Sequence, residues 1–345
     1  MDRAIDTITG LTRNPDQIIK HASAFFQDSR TRHVAAAAAG AVTLYQASKC
    51  LKASLTYRNV NNGVTLPKFE PSQEIAVITG GCGGIGWRLA GDLLKKGLKG
   101  VAILDIQEPQ EPLPDRAHFY KTDITSPEAV ANAAANIRND IGEPTILVNN
   151  AGIGTLGPIM KEKYDYLKKE FEVNLLSHWV TVQEFLPYML EKNHGHVVTI
   201  ASTSSFVALG EMAAYTSTKA GVMAFHESLT QEIKWHHKAD RVRTSLIHPN
   251  WLATPMTAPL FAQKTFKTFG APIFIEDVSR ETVKQITDQV SGQVIVPKSL
   301  TSLSYVRAAP AWLQEKIRGF GTRNLIEVGK IIEKQMAERE ESKLG

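Results

Sequence analysis

Short apolar runs alternate with amphipathic stretches along most of this 345-residue chain. The runs are rich in β-branched residues and read EIAVITGG, GVAILD, TILVNNAG, GHVVTIAS and RVRTSLIHP. Helical periodicity follows the first run, in GIGWRLAGDLLKKG, and recurs around 126–139, 162–192 and 213–236. Continuous apolar strands that alternate with helices predict a parallel sheet covered on both faces. We therefore predict an α/β fold, a doubly wound parallel sheet whose last strand is GQVIVP at 292–297.

The alternation is confined to the middle of the chain. It predicts one central domain at 71–298, with an N-terminal extension at 1–70 and a C-terminal extension at 299–345. Residues 255–275 interrupt the alternation with proline, glycine and close phenylalanines. That segment fits two structures, a pair of surface helices packed on the core or a mobile apolar lid over a substrate pocket.

Both extensions contain helical signals. In NPDQIIKHASAFF, Asn14 can cap a helix that suits either a membrane interface or packing on the main domain. The uncharged stretch 34–48 is dominated by alanine and falls short of the about 20 apolar residues that a membrane span needs. The tail at 296–324 mixes aromatic and basic residues, which fits an interfacial segment or one packed along the domain. After it, Asn324 and Glu327 resemble a capping pair and predict the start of a final helix. Its apolar face is formed by Leu325, Val328, Ile332 and Met336.

The net charge of +4 belongs to the N-terminal extension. Residues 1–70 contain nine Lys/Arg and five Asp/Glu, and the remaining residues contain 30 of each. A basic extension suits an anionic membrane surface or nucleic acid, and a solvated segment fits equally well. The only two cysteines, Cys50 and Cys82, indicate no disulfide framework and hence a reducing compartment.

A glycine-rich segment, TGGCGGIG at 79–86, joins the first predicted strand to the first predicted helix. Glycine permits a tight turn and lets backbone N–H groups approach a pyrophosphate at the helix N-terminus. The next strand ends in Asp105, 19 residues after Gly86. A carboxylate there accepts hydrogen bonds from ribose hydroxyls and repels an added phosphate. These features predict a dinucleotide site that prefers NAD(H) over NADP(H).

A second motif, AAYTSTKAGV, places Tyr215 and Lys219 four positions apart and hence on one face of a helix. A nearby ammonium favours the phenolate, so Lys219 is expected to lower the pKa of Tyr215 and make it a better general base. With T-G-x-x-x-G-I-G at 79–86 and N-N-A-G at 149–152, the Y-x-x-x-K motif resembles the classical short-chain dehydrogenase/reductase family.

The resemblance implies a Rossmann fold and a set of functional residues. The implied catalytic residues are Asn174, Ser202, Tyr215 and Lys219. The implied cofactor-binding residues are Gly80, Gly84, Ile85, Gly86, Asp105, Asp123, Asn150, Tyr215, Lys219 and Thr254. In the family, the serine hydrogen-bonds the substrate oxygen, the tyrosine moves the hydroxyl proton, the lysine reaches the nicotinamide ribose, and the asparagine anchors a water chain. Ser204 and Ser205 lie near Ser202 but lack the family spacing.

Two departures from the family pattern change local expectations. The 17 residues between Asp105 and Asp123 include three prolines, so a loop is expected where the family has a helix. The family's Pro-Gly reads Pro249-Asn250 here, and asparagine is expected to keep the turn because it tolerates a left-handed conformation.

The whole pattern is most similar to the retinol- and steroid-dehydrogenase-like branch, including its fungal members. That resemblance implies an apolar alcohol or carbonyl substrate, a homodimer, and attachment to an endoplasmic reticulum or lipid-droplet surface. A keto-lipid reductase and an idle NAD-binding scaffold at a lipid surface remain alternatives. No nucleic-acid partner is predicted. No metal site is predicted either, because His194, His196 and His248 are scattered and are expected to be structural.

Overall fold

The computed structural model describes residues 29–154, 156–252 and 272–344. The chain divides into two compact units, Met1–Gly63 and Val64–Gly345. The described part of the first unit is helix α1, Ser29–Val60, which ends where Asn62 and Gly63 take positive φ values. The helix predicted from Asn14 lies outside the described residues. Among the helices described, none is both long enough and apolar enough to cross a membrane. The limits 1–70, 71–298 and 299–345 stay a prediction.

The second unit is built on a parallel sheet with the order β3-β2-β1-β4-β5-β6-β7, seven strands within the described residues. The strands are β1 Ile75–Thr79, β2 Gly100–Asp105, β3 Ala117–Lys121, β4 Ile146–Asn149, β5 Gly195–Ile200, β6 Val242–Pro249 and β7 Gly292–Val296. The predicted parallel sheet and its last strand are confirmed. The strand order reverses between β1 and β4, which opens a crevice at the carboxyl ends of the strands.

The helices of this unit follow the predicted alternation. They are α2 Gly84–Lys95, α3 Pro127–Asp140, α4 Tyr164–Phe171, α5 Ser177–Lys192, α6 Ala213–Gln231, α7 Ile275–Thr287 and α8 Ala311–Leu344. A π-helical turn, Glu172–Leu176, joins α4 to α5, and a second, Glu232–His236, extends α6. The described loop between β2 and β3 contains no helix, as its three prolines predicted.

Two apolar layers cover the sheet because successive strand residues point to opposite faces. Ala76 and Ile78 of β1 pack in the layer with α2 and α7. Val77 between them packs in the opposite layer with α3 and α5. The central strand β1 is therefore buried on both faces, and the doubly wound α/β fold is confirmed.

The C-terminal helix begins earlier than predicted. A 3₁₀ segment, Lys298–Ala308, leads to Pro310, whose carbonyl accepts a bond from Gln314 N at 3.1 Å and so opens α8. Asn324 is no cap, because its side chain donates to Phe320 O at 2.9 Å within the helix. The predicted start at Asn324 is wrong. Leu325 and Val328 are buried as expected, whereas the side chains of Ile332 and Met336 lie outside those described.

Candidate active site

The glycine-rich turn between β1 and α2 forms an open cradle. Gly80 and Gly84 have φ values of 62° and 51°, a region that glycine occupies without strain. A side chain at Gly86 would collide with the Gly80 carbonyl and the Asn150 amide. The positions that a side chain would take at Gly83 and Gly84 face open space, with nothing within 4 Å. Gly83 also supplies no side-chain cap, so the first N–H groups of α2 and its positive dipole end face this cradle.

Asp105 ends β2 beside this turn. Its Oδ2 accepts a hydrogen bond from Cys82 N at 3.0 Å, and its Oδ1 accepts one from Gln107 N at 3.1 Å. These backbone donors fix the carboxylate next to the cradle. A helix N-terminus for a pyrophosphate and a carboxylate for ribose hydroxyls are the donor and acceptor set that a nicotinamide dinucleotide requires. The residues present therefore fit that cofactor, with Ile85 in the first turn of α2.

Asn150 links the glycine-rich turn to the end of β4 by hydrogen bonds. Its Nδ2 donates to the carbonyls of Thr79 and Gly80, both at 3.0 Å. Thr79 Oγ1 in turn accepts from the backbone N–H groups of Asn150 and Ala151, at 3.0 and 3.1 Å. The Asn150 side chain thus acts on the shape of the cradle.

The remaining cofactor residues are placed less centrally or are not described. Asp123 is exposed after β3, where its Oδ1 accepts bonds from Thr125 N at 2.9 Å and Thr125 Oγ1 at 2.7 Å. Thr254 lies outside the described residues, as does most of the predicted lid at 255–275.

Tyr215, Lys219 and Ser202 meet at the carboxyl end of β5. Lys219 is buried in α6, and its Nζ donates to Ile200 O at 3.0 Å and lies 5.8 Å from the centre of the Tyr215 ring. Ser202, two residues after β5, hydrogen-bonds the Tyr215 side chain. The predicted catalytic pair therefore lies on one face of α6, with the predicted serine against it.

Asn174 joins the same cluster from the π-helical turn. The wider turn places the side chain against the loop after β4, where Oδ1 accepts from Ile153 N and Nδ2 donates to Ile153 O, both at 2.8 Å. Nδ2 also donates to Thr218 Oγ1 at 3.1 Å. A π turn inside a helix is frequently found at functional sites.

Two glycines let this loop pass close to the catalytic side chains. A Cβ at Gly152 would lie 3.4 Å from Asn174 Oδ1 and 3.6 Å from Lys219 Nζ. A Cβ at Gly154 would lie 3.0 Å from Tyr215 Cδ2. All four predicted catalytic residues are thus brought together around the segment that follows β4.

Burial sets the protonation of the pair. Burial raises the pKa of Tyr215. The hydrogen bond from Ser202 opposes this rise, and the Glu170 carboxylate adds to it. Burial also lowers the pKa of Lys219 to about 8, against the opposing field of Glu170. The expected lowering of the Tyr215 pKa by Lys219 is therefore not found: desolvation dominates, and Nζ is directed to the Ile200 carbonyl.

Several side chains near the site were not predicted to lie there. The wall beside Tyr215 includes Leu325 and Val328 of α8, which pack with Met212 and Trp251. Thr322 of the same helix accepts a bond from Gly210 N at 2.8 Å. The helical periodicity of the tail predicts that these residues are buried. It does not predict which part of the domain they pack against.

The turn after β6 also differs from expectation. Asn250 does not take a positive φ. Its side chain instead accepts a hydrogen bond from Thr203 Oγ1 at 3.1 Å. The turn is therefore made without the left-handed conformation that asparagine tolerates.

Three histidines are predicted to be structural. His196 and His248 are buried, and His194 contacts Glu74. Across the residues described, no group of histidine, cysteine and acidic side chains is arranged to hold a metal ion.

Comparisons with known proteins agree with this site. The sequence model of the short chain dehydrogenase family matches residues 74–265. Dehydrogenase RED2 of Cochliobolus heterostrophus is 38% identical over 199 residues, which cover 57% of this chain and 75% of that protein. Estradiol 17-beta-dehydrogenase 11 of Mus musculus is 31% identical over 249 residues, covering 69% and 81%. Retinol dehydrogenase 10 of Rattus norvegicus is 31% identical over 190 residues, covering 55% of each.

A solved structure supports the fold. The ligand-free aldohexose dehydrogenase of Thermoplasma acidophilum superposes with a TM-score of 0.57 at 20% identity, covering 66% of this chain and 94% of that one. The relatives are oxidoreductases, and the family uses nicotinamide cofactors and small-molecule substrates. With its glycine cradle, its Y-x-x-x-K helix and these relatives, the chain belongs to the short-chain dehydrogenase/reductase family, in the branch similar to the retinol and 17-beta-hydroxysteroid dehydrogenases.

Proposed function

We propose that this protein interconverts an apolar primary or secondary alcohol and the corresponding carbonyl compound, with NAD(H) preferred over NADP(H). The observation that carries the proposal is the convergence of Asn174, Ser202, Tyr215 and Lys219 beside an open glycine cradle. A bound nicotinamide supplies the hydride acceptor or donor. The protein must hold the substrate oxygen and move one proton.

Tyr215 is the proton-transfer group in this proposal. In oxidation its phenolate oxygen takes the hydroxyl proton, and in reduction its phenol returns one. Ser202, already hydrogen-bonded to Tyr215, orients the substrate oxygen and stabilises the charge that develops there. Lys219 supplies a buried positive charge beside the ring. Asn174 holds open the loop at Ile153, and we propose that a water chain along it carries the proton outward.

An apolar substrate is supported by the wall beside Tyr215. Leu325 and Val328 pack there with Met212 and Trp251, and none of these side chains carries a charge. Leu325, Val328 and Met212 are themselves buried, so they give Tyr215 an apolar environment. Relatives named as acting on estradiol and retinol are consistent with this class.

The preference for NAD(H) follows from Asp105. Its carboxylate accepts hydrogen bonds from Cys82 N and Gln107 N beside the glycine cradle, where we propose that it binds the adenosine ribose. A 2′-phosphate there would meet a negative charge without a compensating Lys or Arg in the segment 79–86.

Reduction of a keto-lipid is the second candidate, and the state of Tyr215 favours it. Because burial raises the pKa of this phenol, the side chain holds its proton at neutral pH and is ready to donate it to a carbonyl oxygen. The same site then operates in the direction of alcohol formation.

A lipid surface and a second copy of the chain are the proposed macromolecular partners. Exposed aromatic side chains at Tyr305, Trp312 and Phe320 support contact with an endoplasmic reticulum or lipid-droplet surface, and co-flotation with phosphatidylcholine vesicles tests it. Half-exposed Trp179, whose ring centre lies 4.3 Å from that of Phe225, supports a homodimer through α5 and α6. Sedimentation at increasing concentration tests the dimer.

The deciding experiment is a turnover assay with Tyr215→Phe as the matched control. Purified protein is mixed with NAD+ or NADP+ and a panel of retinoid, steroid and long-chain alcohols, and in reverse with NADH and the ketones. We expect turnover of an apolar substrate with NAD(H), reduced by about 10²- to 10⁴-fold in Tyr215→Phe while NADH binding is unchanged. Substantial turnover by the variant would reject the proton-transfer role, and a faster reaction with a water-soluble polyol would reject the substrate class.

A further inference from the structure

The carbonyl of Ser202 is held by a histidine from the neighbouring strand. Between β5 and β6 the backbone ladder runs regularly, and it ends where Ala201 N donates to Ile247 O at 2.8 Å. One residue later the two strands separate. There the backbone offers no further donor, because the next position of β6 is Pro249, and His248 Nδ1 lies 2.9 Å from Ser202 O.

The protonation of His248 follows from this contact. A carbonyl oxygen only accepts hydrogen bonds, so Nδ1 must carry the proton. The ring is fully buried and packs at a tilt of 41° against Phe206, with 4.5 Å between the ring centres. Burial lowers the pKa of His248 to about 4, although the hydrogen bond to Ser202 raises it, and Lys219 adds to the lowering. The ring is therefore neutral at physiological pH, and its Nδ1–H remains bonded to the Ser202 carbonyl.

The rest of Ser202 is fixed by short local bonds. Ser205 N donates to Ser202 O at 3.0 Å, and Ser204 N donates to Ser202 Oγ at 3.1 Å. These bonds fold the turn but lie within it, so they do not set its position relative to the sheet. His248 connects Ser202 to β6, as Asn250 does for Thr203.

We propose that His248 is a positioning residue, which sets Ser202 Oγ against Tyr215 by holding the Ser202 carbonyl. The inference rests on the role proposed above for Ser202. The chain offers a matched control in His226, a second buried histidine whose Nδ1 lies 3.0 Å from Thr199 Oγ1. His226 has no contact with the Ser202 carbonyl among the hydrogen bonds described for it.

The test compares His248→Leu, His248→Asn and His226→Leu. Leucine keeps the apolar volume without a donor, whereas the Nδ2–H of asparagine reaches nearly the same position as Nδ1–H. We expect His248→Leu to lower kcat by about 10- to 100-fold with the NADH dissociation constant unchanged, because a small displacement of a reacting group has that effect. His248→Asn should recover most of kcat, and His226→Leu should keep it.

Equal loss of kcat in His248→Leu and His226→Leu would overturn the proposal, since any buried histidine would then have the same effect. Loss of kcat in His248→Asn equal to that in His248→Leu would also overturn it. Crystal structures of the wild type and His248→Leu separate this inference from the proposed function. If the wild type neither oxidises an alcohol nor reduces a ketone, the proposed function fails. A displaced Ser202 Oγ in His248→Leu then still supports positioning, and an unmoved one rejects it.

Discussion

The two edges of the sheet both contain buried polar side chains, yet they use them differently. At the amino-terminal edge, Arg243 donates to the carbonyls of Val64, Asp240 and Gln289, at 2.8 to 3.0 Å. At the carboxyl-terminal edge, Lys219 donates one hydrogen bond within the described residues, to Ile200 O.

The difference teaches where a buried charge stabilises the fold and where it is held for chemistry. Burial is compensated at Arg243 by three backbone acceptors, which leaves little for a ligand to bind. At Lys219 the same penalty is only partly compensated, and burial lowers its pKa to about 8. A group whose desolvation is left uncompensated beside an open cradle is poised to gain from a bound partner.

The largest effects come from removing each of these cations. Lys219→Met should lower kcat by about 100-fold or more and leave the free energy of unfolding unchanged or higher, because a buried charge is replaced by an apolar side chain.

Arg243→Met should cost about 3 kcal/mol of unfolding free energy, because carbonyls lose their donors, while the folded fraction keeps its turnover. Urea unfolding and kcat of both variants check this. Similar losses of stability in the two variants would contradict the comparison.

A smaller effect is expected from a single methyl group beside Tyr215. In Gly154→Ala the new Cβ would lie 3.0 Å from Tyr215 Cδ2, so the ring must shift by a few tenths of an ångström. We expect about tenfold lower kcat with unchanged NADH binding.

Gly91→Ala is the control for that variant. Its Cβ meets nothing within 4 Å, so kcat should stay unchanged and α2 should gain about 0.5–1 kcal/mol of stability. Wild-type turnover in Gly154→Ala would show that the loop after β4 does not position the ring.

The smallest effects concern the pH dependence of stability at the amino-terminal edge. There the pKa of His194 is raised and that of His196 is lowered. A hydrogen bond to Glu74, at 2.9 Å, raises the pKa of His194 above its ordinary 6.5. The stability it adds is complete below pH 6.5 and is lost as pH rises through the folded-state pKa. Burial lowers the pKa of His196 to about 3, so its contribution is complete above pH 6.5 and is lost as pH falls towards 3.

Urea midpoints at about pH 5, 7 and 8.5 separate the two histidines. His194→Gln should flatten the decline above neutrality. His196→Gln should remove up to about 1.4 kcal/mol per pH unit of the decline below it. The same slopes in both variants would show that their environments do not differ.

The fold was largely predictable because its signals are local or repeat along the chain. Apolar β-branched runs and helical periods depend on each residue's own neighbours, and they placed the strands and the helices around α3, α5 and α6 within a few residues. The start of α8 was mispredicted because a capping pattern such as Asn324 and Glu327 is also compatible with a helix interior.

By itself, the sequence determined the glycine cradle, the shared face of Tyr215 and Lys219, and their family spacing to Ser202. These depend on separations of a few residues within one turn or helix, or on a motif, and short separations constrain geometry directly. Only the tertiary structure decided that His248 would hold the Ser202 carbonyl and that Leu325 would pack beside Tyr215. Those contacts join residues 46 and 110 positions apart, so they depend on how strands and helices pack, which no local pattern encodes.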